Sequence, residues 1–166
     1  MRCKVPSLLA GVAALAGCAG DNPDNVPLYG QWEMNTRIAG MSVDGMAIPP
    51  EYYPPEFKAL AKSEQRCGEP MFIDRDWQED DINDHLHGEC TLDRYDVTQS
   101  QVTGKGRCVV DQPGAGFSPA LDIVIDQAAD NFRMTITLRG EASIPGQGRH
   151  MISATAIQEG TRSGDC

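Results

Sequence analysis

Cys90-Thr-Leu-Asp-Arg-Tyr-Asp-Val-Thr-Gln-Ser-Gln-Val-Thr-Gly-Lys-Gly-Arg-Cys108 decides how the rest of the chain is read. Folded back about Gln99, it sets Cys90 opposite Cys108 and Asp93 opposite Lys105. One register then supplies both a cross-strand disulfide and an opposite-charge pair. The stretch is read as an oxidised β-hairpin, with strands expected over 89–97 and 101–110.

Outward from the hairpin the apolar residues keep a period of two. Leu121, Ile123 and Ile125 alternate with Asp122, Val124 and Asp126. Phe132, Met134, Ile136 and Leu138 alternate with Arg133, Thr135, Thr137 and Arg139. Each is the pattern of a strand with one buried face and one wet face. A last strand is expected over 149–158, with Ile152, Ala154 and Ala156 inward and His150 at the surface. Before the hairpin, Trp32, Met34 and Ile38 face one way and Glu33, Asn35 and Arg37 the other, so a strand is expected over 29–38 with Trp32 as its core anchor. Gly40 to Pro50 reads as a loop. Pro54 and Pro55 open a short helix over 55–63, with Phe57, Leu60 and Ala61 on one face. The expected fold is mainly β: a single antiparallel meander, a curved sheet or partly open barrel, with one short helix and two disulfides.

The disulfides follow from cysteine arithmetic. Of six cysteines, Cys3 lies in an N-terminal leader and Cys18 at its end. Cys67, Cys90, Cys108 and Cys166 remain, and an even number in an exported chain implies two bridges. The hairpin register selects Cys90–Cys108, and elimination leaves Cys67–Cys166. A structural zinc on four thiolates competes poorly, because no spacing is Cys-x2-Cys.

Residues 1–17 carry Arg2 and Lys4, then an apolar run from Leu8 to Ala16 that is too short to span a bilayer. The run ends Leu15-Ala16-Gly17-Cys18, which resembles the lipobox of bacterial lipoprotein signal peptides. The resemblance implies a lipid on Cys18, a membrane partner through that lipid, and the cell envelope of a Gram-negative bacterium. Ala19 stands where an aspartate would favour inner-membrane retention, which points to the outer membrane, facing the periplasm. The expected division is signal peptide 1–17, lipidated tether 18–27 and β domain 28–166.

Without Arg2 and Lys4 the 14 basic residues fall to 12, against 24 acidic, so the net charge moves from −10 to −12. Such a surface repels phosphate backbones, and nucleic acid is not an expected partner. No cofactor motif is present. Gly114 and Gly116 lack the following Lys-Ser/Thr of a phosphate loop. Phe117-Ser-Pro is not a nucleophile elbow.

The densest chemistry is Asp74 to His87. It is read as a solvated acidic loop with one helical turn that sets Ile82 and Leu86 against the core. On a strand, His85 and His87 would share a face and with Asp84 could ligate copper or zinc, assisted by methionines such as Met41 and Met46. A calcium loop is excluded by the missing glycine after Asp74-x-Asp-x-Gln. A catalytic carboxylate pair has no motif behind it. The expectation is a non-enzymatic module that binds an envelope protein or a small ligand. Metal binding and lipocalin-like carriage of an apolar ligand are the alternatives; Gly30-x-Trp32 is the element shared with lipocalin-type barrels.

The order Gly30-x-Trp-Glu33, Cys67, Gly88-Glu-Cys-x4-Tyr95, Arg107-Cys108, Phe132-Arg-Met-Thr-Ile-Thr137 and Arg162-x-Gly-Asp-Cys166 resembles the bacterial family called domain of unknown function 3617. Its members are exported or lipid-anchored, and the resemblance runs from about residue 28 to 166. It implies the same topology and compartment and supplies no activity. Cys67-Gly-Glu-Pro departs from the Cys-Leu-Thr-Pro common in the family, so the loop at 68–87 inherits nothing from it.

Overall fold

The computed structural model describes residues 24–86, 88–112, 115–144, 146 and 148–166. The leader, Cys18, His87, Gly114 and Pro145 lie outside these. In chain order the elements are β1 (Gly30–Val43), β2 (Met46–Ala47), a 3-10 turn (Pro50–Tyr52), α1 (Pro55–Ala59), β3 (Lys62–Gly68), α2 (Arg75–Leu86), β4 (Glu89–Val97), β5 (Gln101–Gln112), β6 (Ala115–Phe117), β7 (Ala120–Gln127), β8 (Asn131–Ile144) and β9 (Gly148–Gly164). Among the described residues the nine strands form one antiparallel sheet that does not close.

β4, β5, β7, β8 and β9 follow one another as a meander, and β1 then docks on β9. The outer side of β1 carries β3 along its first half and β2 at its end. β6 and β7 are one path interrupted at Ser118–Pro119, since proline brings no N–H to a ladder. The Cys108 N–H donates to the Pro119 carbonyl at 2.9 Å, which keeps β5 joined across the break.

The alternation read from sequence is the burial pattern. Leu121, Ile123, Ile125, Phe132, Met134 and Leu138 are buried on one face with Trp32 and Met34 of β1. The Trp32 indole N–H donates to the Leu28 carbonyl at 3.0 Å, so the largest core side chain is also satisfied. Phe132 sits in edge contact with Phe72 and tilted against Trp32. Gly160, its cross-strand partner, has no Cβ because the Phe132 ring fills that space.

Both expected bridges are present. Cys90–Cys108 joins directly opposed residues of β4 and β5. Cys67–Cys166 brings the chain end back past the start of β1 to β3, closing a separation of 99 residues. By loop-closure entropy the two constrain the unfolded chain by about 3 and about 4.7 kcal/mol.

Five expectations are corrected. A bulge between Leu92 and Arg94 shifts the hairpin, so Lys105 faces Arg94 rather than Asp93. Asp93 pairs instead with Arg107 at 3.4 Å, and Lys105 with Asp122 at 3.0 Å on β7. The loop at 40–50 is largely a hairpin: Asp44 and Gly45 both have positive φ (51° and 80°), the requirement of a type I′ turn. Asp44 accepts from the Met151 N–H and meets the His150 imidazole, each at 2.8 Å, and these two contacts hold its carboxyl below the ordinary value. His150 is therefore an anchor of this turn rather than a bare surface residue. The expected tether is packed at its end: Asn25 and Pro27 are buried, and Asn25 donates to the Pro70 carbonyl at 2.9 Å. Finally, the acidic loop is α2, a helix of 12 residues.

α2 lies on the free edge of β4. Glu79 accepts from the Leu92 N–H at 2.7 Å, and Asn83 both accepts from the Cys90 N–H at 2.5 Å and donates to the Cys90 carbonyl at 3.3 Å. These side chains satisfy backbone groups that an edge strand would otherwise expose. Replacing Asn83 by alanine orphans both groups of Cys90. The expected cost is about 1–3 kcal/mol in urea unfolding with both disulfides intact; an unchanged midpoint would remove this role.

Candidate binding site

The spacing of α2 explains what it positions. Residues four apart share a face, so Gln78 and Ile82 point together into the core while Glu79 and Asn83 reach β4. Trp77, Asp81 and His85 form the third stripe. The Arg66 guanidinium of β3 stacks over the Trp77 ring, 5.5 Å from its centroid. Lys62 of β3 donates to His85 Nε2 at 3.2 Å, and His85 Nδ1 donates to the Asp81 carbonyl at 2.7 Å. α2 thus meets both sheet edges, β3 and β4, with its middle stripe in the core.

Between α1, α2 and the buried sheet face lies a cavity of about 70 Å³. Ile136 and Leu138 of β8 face Ala156 and Ala154 of β9 across the ladder. The two alanines leave the room that larger residues would fill. Phe57 and Leu60 of the α1 segment and Ile82 of α2 cover it. A second cavity of about 30 Å³ adjoins it, lined by Trp32, Trp77, Phe72, Phe132 and Gln78. Asp81, His85, Met134 and Gln158 line both.

The boundary between the two is polar and mostly internally matched. Gln158 donates to Thr36 Oγ1 at 3.2 Å. Lys62 is held by Glu64 at 2.9 Å as well as by His85. Burial pushes the Asp81 carboxyl up, against the smaller pull of His85, Arg66 and Lys62. Both imidazole nitrogens of His85 are engaged, and the Thr36 hydroxyl already accepts from Gln158.

The sequence-predicted residues fall as follows. Cys67, Cys90, Cys108 and Cys166 pair as expected. Trp32 is the core anchor. His85 lies on a helix, not on the strand that would have aligned it with His87, and His87 and Cys18 lie outside the described residues. Asp84 is exposed on α2. Met41 and Met46 belong to the β1–β2 hairpin, whereas Met34 and Met134 line the cavity. Among the described residues no group of three or more His, Cys, Asp or Glu is arranged to hold a metal. Gln78, Asp81, Lys62 and Arg66 were missed; the 77/81/85 and 78/82 spacings were the signal that could have found α2.

A raised Asp81 means that the folded state holds a proton more tightly than the unfolded state. Between the ordinary value of 3.8 and the raised one, stability falls as pH rises. Asp81→Asn should therefore lose less stability than wild type as pH climbs through that window, read as urea midpoints at a series of pH values. Parallel curves for the two proteins would contradict it.

No curated protein and no solved structure matches the chain. The model of the family described as "Protein of unknown function (DUF3617)" matches residues 26–166, which include every strand and helix of the described residues and the four paired cysteines. The chain belongs to the DUF3617 family.

Proposed function

We propose that this protein is a lipid-anchored, non-enzymatic envelope protein, facing the periplasm from the outer membrane, that binds a small apolar ligand between its helices and its sheet. The observation that carries the binding reading is the apolar cavity over Ala154 and Ala156, roofed by Phe57 and Leu60. The anchor rests on Leu15-Ala16-Gly17-Cys18 after a short apolar run. Its acyl chains would hold the acidic domain at a bilayer whose surface charge offers it no attraction.

At about 70 Å³ the cavity is smaller than the roughly 150 Å³ that accepts benzene in an apolar core. Entry of a longer chain requires the roof to move. α1 suits that, because five residues are far too few for a helix to persist on its own. Its place depends on Phe57 and Leu60, so a ligand that takes over their contacts displaces it at little cost.

Native mass spectrometry of the Cys18→Ala protein, exported and purified without detergent, should find an apolar molecule retained. Ala154→Phe fills the cavity and should release it. A clean apo mass for both proteins counts against the binding reading. The same substitution at Cys18 should move the protein from the membrane fraction to the soluble one; retention at the wild-type level contradicts the anchor.

A further inference from the structure

Gln78 is fully buried on the middle stripe of α2, beside the smaller cavity, and its Oε1 has no hydrogen-bond partner among the described residues. Its amide nitrogen has only the Met134 sulfur, at 3.9 Å. A buried acceptor without a donor is costly, and native cores rarely keep one. Gln78 lines the aromatic chamber, which adjoins the apolar cavity over the two alanines, so a molecule spanning both would bring its head to Gln78 and its body to Ala154 and Ala156.

We infer that the ligand is a neutral amphiphile whose head group donates a hydrogen bond, an aliphatic alcohol or its chemical equivalent, with the head at Gln78 Oε1 and the chain over β8 and β9. This rests on the binding reading above and names its ligand class. The groups around the chamber select that head. Asp81 adds a second acceptor at the boundary, and Glu64 and Glu69 add negative charge around the smaller cavity. Lys62 is paired by Glu64 and His85, and the Arg66 guanidinium lies over the Trp77 ring. A carboxylate head would meet the negative charge of Asp81, Glu64 and Glu69 around the same chamber. An ether or ester oxygen would leave Oε1 without a donor.

The chain has two tryptophans, Trp32 and Trp77, and both line the smaller cavity. Tryptophan fluorescence, excited where tyrosine does not absorb, therefore reports on this site. Titrating the full chain with 1-octanol, with its isomeric ether 1-methoxyheptane and with octanoate compares a donor head, an acceptor-only head and an anion on nearly the same body. 1-Octanol should bind roughly tenfold more tightly than either. Gln78→Leu, which replaces the amide by an apolar group of similar size, should abolish that preference for alcohol over ether. Equal affinity for alcohol and ether in the wild type, or a preference that survives in Gln78→Leu, overturns the head-group assignment while leaving an apolar site in place. No fluorescence response to any of the three overturns the site itself.

Discussion

Seating α2 against the open edge of the sheet is the constraint on which the rest of the molecule depends. An antiparallel sheet that stops short of closing leaves two edges, here β3 and β4, each with unpaired backbone groups. The chain passes from one edge to the other through α2, which lets a single helix serve both. Glu79 and Asn83 satisfy β4 at Leu92 and Cys90, while His85 and Trp77 meet Lys62 and Arg66 of β3. The polar character of the helix is a consequence of that duty. Residues that would look like a solvated surface in isolation are here the partners of backbone and of edge cations.

The disulfides fix the two places where this arrangement would fray. Cys90–Cys108 lies in β4 at the level where Asn83 binds, so the edge that α2 covers is covalently held to β5. Cys67–Cys166 holds β3, the other edge, to the chain end beyond β9, with β1 between them. Around the start of β1, Arg162 donates to the Tyr29 carbonyl at 2.9 Å and the Tyr29 hydroxyl meets Cys67 Sγ at 3.3 Å. Tyr95 completes the frame by donating to the Phe72 carbonyl at 2.7 Å; burial pushes its phenol upward, so the donor keeps its proton throughout the physiological range.

What could be read from sequence was whatever rests on period two and on sulfur. The alternation in Phe132–Leu138 and Leu121–Ile125 names its buried face directly, and the pairing of Cys90 with Cys108 survives the bulge at Asp93 because the bulge lies on the turn side of the bridge. α2 was not legible in the same way. Its buried stripe is Gln78 and Ile82, one of them polar, so the usual apolar repeat is almost absent. β3, Lys-Ser-Glu-Gln-Arg-Cys-Gly, is hidden for the same reason: most of its side chains are exposed and it is held mainly by backbone pairing with β1. Elements that work at an edge carry polar residues, and a reading tuned to hydrophobic period passes over them.

That same edge geometry places the cleft. A closed barrel of this size would fill its interior with its own side chains. Here the gap between β3 and β4 admits α2, whose narrow buried stripe leaves space on either side of Met134. The larger space opens toward α1, over the small residues of β9; the smaller one lies among the aromatics of β1, β8 and the 69–74 loop. Both owe their existence to a helix too polar to fill the sheet's concavity. The residues that make α2 a good edge cover are therefore the ones that leave the sheet face partly vacant, and stability at the edge and space at the centre come from one choice of sequence.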